Sequence, residues 1–246
     1  MNNALRAEVR KMLTVRTTYY LMGFSLFLVL LLAGFITGYR VTHAQLLDPT
    51  YLSQQVLQAV DAVGFFAALV GVLLFANEYR HNTIIYTLTL SRSRSQVLAA
   101  KIIVASLFAM LTVLLLGIIS PLVTLLGAHL HGYHFAPQTL HYGDLLWRTL
   151  FYAWGYAMFG LIIIALIRNQ IAAIVTLLIA PGTLEGILSL LLKNNTRYLP
   201  FTALKNVPAV HPMFTGKPGF SALVVTTYIV VAWIIAWLLF LRRDAN

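Results

Sequence analysis

Six long apolar runs, separated by short polar stretches, dominate the hydropathy pattern of the chain. They cover residues 18–38, 57–76, 102–126, 146–167, 171–192 and 220–241. Each run is close to the length of about 20 residues that crosses a bilayer as an α-helix. None shows the alternation that is typical of a membrane β-strand. The pattern predicts an all-α integral membrane protein, with six transmembrane helices in a single domain over residues 1–246.

The chain begins with a different pattern, in which apolar side chains recur along one helical face. Leu5, Val9, Met12 and Leu13 share that face, and most of the basic side chains of residues 2–16 lie elsewhere. This arrangement is typical of an amphipathic helix on a membrane surface. The apolar run that follows exceeds the core of a cleaved signal peptide, about 7–15 residues. We therefore expect it to remain as the first span.

The amino-acid composition is typical of a membrane protein and argues against several other classes of protein. The chain is 60% hydrophobic and only 10% charged, whereas soluble domains have about 25% charged residues. Cysteine is absent, which excludes disulfide bonds and thiolate metal sites. The sequence contains no phosphate-binding loop, no HExxH and no GxSxG pattern. The chain is thus not expected to be an enzyme by itself or to bind a cofactor.

The basic residues predict the orientation of the spans. Eleven of the 17 Lys and Arg residues fall on one side of the predicted membrane and six on the other. Because cytoplasmic loops are enriched in basic residues, both termini are predicted to lie in the cytoplasm. We expect a multi-pass protein of the cell inner (cytoplasmic) membrane. Its net charge of +10 then reflects this topology and contact with anionic lipid, not nucleic acid.

Two acidic residues lie within or beside apolar runs. Carboxylates in a membrane are costly, which makes Asp61 and Glu185 candidates for a substrate path or gate. Glu185 follows Pro181, which predicts a helix break, and Gly182, which starts a GxxxG pattern typical of close packing. The alternative is that the fifth span ends near Ala180 and Glu185 faces outside water. For Asp61, an ion pair or an interface fits better than transport chemistry.

The predicted outer segment over residues 127–145 is rich in histidine. Its histidines are His129, His131, His134 and His141. Imidazoles at this spacing are weak candidates for a zinc site, with Asp144 completing the shell. An integral membrane metal-dependent enzyme is therefore an alternative function. The competing interpretation is a polar loop without metal.

The cytoplasmic segment over residues 77–101 is the strongest candidate for contact with another protein. Its polar landmarks are Glu78, Arg80, Thr83, Ser93, Arg94 and Lys101. The charged ends and the mixed apolar stretch between them fit a short helix that lodges in a groove of a soluble partner. The alternative is a loop that is basic only because it faces the cytoplasm.

The order of residues in this segment resembles the loop of ABC-2 type transporter permeases. That family has, loosely, E-x-x-x-G-T, then leucines, P-x-S-R, and a lysine seven residues later. The matching positions are Glu78, Thr83, the Ser93–Arg94 pair and Lys101. Asn82 and Ser91 stand where the family has glycine and proline. The span count, the inside termini and the N-terminal helix extend the resemblance over the whole chain.

The resemblance implies a permease subunit of an ATP-driven exporter. Two such subunits, identical or related, would enclose the substrate path, and separate ABC ATP-binding subunits would bind ATP and Mg. Residues 78–101 would then act as the coupling helix, and residues 181–219 as a re-entrant segment between helices five and six near the outer gate. A membrane immunity or assembly factor that moves no substrate is another alternative.

Overall fold

The computed structural model describes residues 2–39, 51–80, 94–130, 132, 142–208 and 217–242. Every regular element within these residues is helical. The long helices are α1 (Asn2–Thr14), α2 (Arg16–Tyr39), α3 (Tyr51–Arg80), α4 (Arg94–Leu130), α5 (Tyr142–Ile167) and α9 (Pro218–Arg242). Between α5 and α9 lie α6 (Gln170–Ile179), a π-helical turn (Ala180–Leu184), α7 (Glu185–Leu192), a 3-10 turn (Lys193–Tyr198) and α8 (Pro200–Asn206).

Four stretches of the described chain are long and apolar enough to cross a membrane. They are Ser95–Leu115, Gly143–Ile167, Gln170–Leu192 and Pro218–Leu239. A fifth results if α1 and α2, which meet at a bend of 63°, count as one span. Within α3, which contains the predicted second span, Gly64–Ala76 forms a shorter apolar stretch. The prediction of an all-α protein with several helices long enough to cross a membrane is thus confirmed, and the count of six spans stays a prediction.

The first helix forms where the amphipathic pattern predicted it, and part of its apolar face packs against the helical bundle. Met12 is buried and Leu5 packs against the core, whereas Val9 and Leu13 are exposed. Glu8 is buried between the two inward apolar residues. Two of the four apolar side chains therefore face the helical bundle and two face outward, and the acidic Glu8 lies on the inward face.

The core centres on α3 and α5, which pack along much of their length. Glycines allow their backbones to touch. A Cβ on Gly160 would lie 2.2 Å from the carbonyl oxygen of Ala68, and one on Gly71 would lie 2.4 Å from that of Ala157. Close approach through small residues is the usual way to pack membrane helices, because lipid supplies no hydrophobic force between them.

The predicted fifth span continues through Pro181 instead of breaking there. Because proline has no N–H, the hydrogen bonds widen locally into the π-helical turn, and α7 continues to Leu192. A Cβ on Gly182 or Gly186 would meet nothing within 4 Å among the described residues. No described helix of the same chain therefore packs closely against this GxxxG pattern, and close packing at it stays a prediction.

The ends of the 77–101 segment belong to the long helices. Helix α3 continues to Arg80 and α4 begins at Arg94, so both flanks of the predicted loop are helical. Residues 81–93, which include Thr83 and Ser93, lie outside the described residues. Helices α3 and α4 pack against each other, and α1 packs across α4. This meeting point of three helices carries the candidate site.

Candidate functional site

Lys101 is the centre of a buried cluster of charged side chains. It lies near the start of α4, and its side chain is 0% exposed. Its Nζ donates to Oε2 of Glu8 at 2.9 Å, to Oε1 of Glu78 at 3.0 Å, and to the Leu74 carbonyl oxygen at 2.7 Å. A lysine ammonium has three protons. All three are used, and they join α4 to α1 and to α3.

A second lysine completes the cluster. Lys11 donates to Oε1 of Glu8 at 3.0 Å and also pairs with Glu78. The two carboxylates and two ammonium groups balance in charge, as burial requires. Burial lowers the pKa of Lys11, but its hydrogen bond and charge pairing with Glu78, and its pairing with Glu8, outweigh this effect, so its pKa is raised. Lys11 therefore stays positively charged.

One polar atom of the cluster has no partner. Oε2 of Glu78 is buried and accepts no hydrogen bond from the described residues. The Phe75 ring lies 4.8 Å from Lys101 Nζ and covers the other side of the ammonium, in the geometry of a cation–π contact. We call this cluster, Glu8, Lys11, Glu78 and Lys101, the ionic lock. Three of its side chains are buried, and that of Lys11 is 41% exposed.

Glu185 forms a second polar centre, at the start of α7. Its side chain is buried, and it accepts hydrogen bonds from Phe201 N at 2.7 Å, Thr202 N at 2.6 Å and Thr202 Oγ1 at 2.7 Å. The first N–H groups of a helix have no partner within it. Leu199, which precedes α8, offers no side-chain cap. Glu185 therefore caps α8 from a distance of 16 residues in sequence.

Most of the chain matches a known protein family. Residues 34–245 match the family described as "Protein of unknown function (DUF2705)". The chain belongs to the DUF2705 family. The match includes both Glu78 and Lys101 but begins after α1, so the Glu8 and Lys11 side of the ionic lock lies outside it. No curated protein matches the chain.

The structure of this DUF2705 protein brings together two of the predicted partner-contact residues. Glu78 and Lys101 lie 23 positions apart in sequence and meet in the ionic lock. Arg80 and Arg94 mark the ends of α3 and α4, and their side chains lie outside the described set. Glu78 and Lys101 are buried against their own chain, where they join the end of α3 to α4.

Sequence reasoning missed Glu8 and did not connect Lys11 with the segment. A signal was present, because Glu8 lies between Leu5 and Met12 on the inward face of α1. An acidic residue on such a face requires a basic partner. Nothing local in the sequence indicates that this partner is Lys101, which is 93 positions away.

The structure locates some of the remaining candidate site residues of this DUF2705 protein, and others lie outside the described residues. Glu185 is buried in the helical stretch Gln170–Leu192 and bonds to α8, so the interpretation that it faces outside water is wrong, and the end of the fifth span stays a prediction. Asp61 lies in α3, but its side chain is outside the described set. His129 is exposed at the end of α4, and His131, His134 and His141 are outside the described residues. The described residues contain no group of three potential metal ligands.

Proposed function

We propose that this protein is the membrane-spanning permease subunit of an ATP-driven exporter of the ABC-2 type. In this proposal six helices cross the cell inner membrane and both termini lie in the cytoplasm. Two subunits enclose the substrate path, and a separate ABC subunit binds ATP and Mg. The order of Glu78, Thr83, Ser93–Arg94 and Lys101, which resembles the coupling loop of that family, is the origin of the proposal.

The ionic lock is the observation that supports it best. A coupling segment transmits force only if its ends are fixed to the spans that must move. Lys101 fixes the start of α4 to the end of α3 and to α1 through buried charged hydrogen bonds. Breaking such a buried pair costs about 3–5 kcal/mol. A displacement of residues 81–93 would therefore move the three helices together.

The Glu185 cap supports the second expected element, the re-entrant segment at the far side. Glu185 is 15 residues beyond the start of α6, which corresponds to about 22 Å of helix. Its hydrogen bonds hold α8 back against the bundle, where α8 packs on α5 and α9. In the proposal, this arrangement keeps the outer end of the path closed.

Exposed apolar surface is consistent with a second subunit. Most of Gln170–Leu192 and of Pro218–Leu239 is not buried within the chain. The Gly182 and Gly186 face has open space beside it in the described residues. In the proposed dimer, part of this surface packs on the other subunit and the rest contacts lipid.

Co-purification tests the proposal. The chain is expressed with a candidate ABC ATP-binding subunit from the same organism, and ATP hydrolysis by the complex is measured in lipid nanodiscs. We expect a stable complex whose hydrolysis falls in Lys101→Met, while Lys217→Met, which removes an exposed lysine, behaves like the wild type. A purified chain that binds no ATPase, or hydrolysis that Lys101→Met leaves unchanged, would contradict the proposal.

Topology is tested separately by cysteine labelling, since the natural chain has no cysteine. Thr14→Cys and Asn195→Cys replace exposed residues on opposite predicted sides. In intact cells a membrane-impermeant maleimide should label only Asn195→Cys, and both variants should react after the membrane is opened. Labelling of Thr14→Cys in intact cells would overturn the predicted orientation.

A further inference from the structure

A cavity beside the ionic lock has a polar lining that the proposed transport function does not use. Its volume is about 490 Å³, and the described residues that line it are Tyr79, Arg168, Asn169, Gln170, Ile171 and Ile174. Tyr79 comes from the last turn of α3, directly after Glu78. The other five come from the α5–α6 link and the first turns of α6. The cavity therefore lies where α3 ends and α6 begins.

Arg168 is held at the cavity in a conformation that is unfavourable for its residue type. Its φ is +58°, which lies in the left-handed region. For an L-residue, this conformation raises the free energy by about 1–2 kcal/mol. Its N–H bonds to the Ile164 carbonyl oxygen at 2.9 Å, which is the αL ending that glycine normally supplies. The following Asn169 caps α6 by accepting from Ala172 N at 3.1 Å. The two-residue link thus fixes the Arg168 backbone.

Two polar atoms at the cavity have unmet hydrogen-bonding capacity. Tyr79 Oη and Arg168 Nε are both buried, and neither has a partner among the described residues. Burial raises the pKa of Tyr79, an effect that Arg168 opposes and Glu78 reinforces. The phenol therefore stays protonated and can donate. Buried donors without acceptors are rare in folded proteins, and no described residue supplies an acceptor for either of these two.

The apolar residues of the cavity indicate which chemical class of ligand it can bind. Ile174 lines one wall, and Ile171 is 75% exposed at the rim. Helix α6 is the first part of a spanning stretch, Gln170–Leu192. A guanidinium and a phenol at the start of such a helix, followed by the exposed Ile171 and the partly buried Ile174, match a molecule with an anionic head and an apolar tail.

We propose that this cavity binds the phosphate group of an anionic phospholipid, with Arg168 and Tyr79 as the donors and Ile171 beside the acyl chain. The inference requires only that α6 enters a membrane. Lipid binding at this cavity does not depend on ATP, on a partner subunit or on transport. An experiment can therefore support or contradict it independently of the proposed function.

Native mass spectrometry of the purified, delipidated full chain tests this proposal. Phosphatidylglycerol and phosphatidylcholine with the same acyl chains are added back, and the retained lipid is counted. We expect one phosphatidylglycerol to be retained in preference to phosphatidylcholine. Loss of a charged hydrogen-bond donor should weaken its apparent affinity by roughly ten- to a hundredfold in Arg168→Gln, and less in Tyr79→Phe. Arg10→Gln is the control, because it removes an exposed charge away from the cavity.

The Arg168→Gly variant distinguishes a loss of lipid binding from a loss of folding stability. Glycine accepts a positive φ without strain, so this variant should unfold at a temperature equal to or above that of the wild type and still lose the lipid. Equal retention of the two lipids by the wild type would overturn the proposal. So would retention of phosphatidylglycerol by both Arg168 variants, or an equal loss in Arg10→Gln.

Inorganic phosphate distinguishes a lipid from a soluble ligand. It is added to the chain loaded with phosphatidylglycerol. Continued retention of the lipid supports the lipid as the natural occupant. Displacement by millimolar phosphate in the wild type would show that the site recognises the free anion, and would overturn the assignment to a lipid.

Discussion

Replacing Lys101 by methionine should destabilise the protein strongly, because the ionic lock would lose its centre. Three hydrogen bonds, to Glu8, Glu78 and the Leu74 carbonyl, disappear. Two buried carboxylates then share the single ammonium of Lys11. Removing one member of a buried ion pair costs about 3–5 kcal/mol. For a chain of this length each kcal/mol corresponds to roughly 2–4 °C, so we expect the unfolding temperature to fall by about 6–20 °C.

A double variant provides the decisive control. Lys101→Met with Glu78→Gln leaves one carboxylate and one ammonium, so the buried charge balances again. It should recover part of the stability lost in Lys101→Met, with a coupling of about 0.5–3 kcal/mol. The assay is thermal unfolding in detergent, followed by size-exclusion chromatography of the remaining folded protein. If Lys101→Met unfolds within about 2 °C of the wild type, or the double variant is no more stable than the single one, the ionic lock does not have the assigned role.

Three further predictions concern packing, capping and pH. Gly160→Ala should lower the unfolding temperature, because its Cβ would overlap a backbone carbonyl of α3 and overpacking costs about 1–3 kcal/mol; Gly23→Ala, with open space around it, is the control. Glu185→Gln should cost about 1.5–3 kcal/mol, since charged hydrogen bonds to α8 are lost, and Thr202→Val, which removes one of the three, should cost less. The pKa of Lys11 is raised in the folded protein. Lys11 therefore stabilises the fold fully at pH values below the ordinary lysine pKa of about 10.4. This stabilisation is lost as the pH rises through the higher pKa of the folded state.

Each of these predictions has a contradicting result. Equal unfolding temperatures for the two alanine variants would show that α3 and α5 separate easily at Gly160. If Glu185→Gln left the unfolding temperature unchanged, its hydrogen bonds to α8 would not stabilise the fold. For Lys11, the difference in unfolding temperature between the wild type and Lys11→Met should stay constant from about pH 7 to pH 9 and shrink above pH 10; a difference that shrinks below pH 9 would contradict the sign of the shift.

The positions of the helices could be predicted well from sequence. Span boundaries of 146–167 and 220–241 compare with observed helices Tyr142–Ile167 and Pro218–Arg242. A long apolar run has few alternatives in a membrane, because only a helix satisfies its own backbone there. The exception is Pro181, where the pattern predicted a break and the helix absorbed the proline through a wider turn.

The candidate sites could be predicted only in part. Glu78, Lys101 and Glu185 were singled out because charged residues beside apolar runs are costly. Their partners could not be predicted, since Glu8 pairs with Lys101 over 93 positions and Glu185 bonds to backbone N–H groups of a helix that follows a turn. Backbone donors carry no sequence signature.

The sequence by itself determined that this chain is a helical membrane protein, where most of its long helices lie, and which charged residues require an explanation. Those properties follow from local hydropathy and from the cost of placing polar groups in lipid. Only the tertiary structure decided that Glu78 and Lys101 bind each other and α1, and that Glu185 caps α8. It also placed Arg168 and Tyr79 at one cavity. These contacts depend on how separate helices pack, which hydropathy along a single chain does not encode.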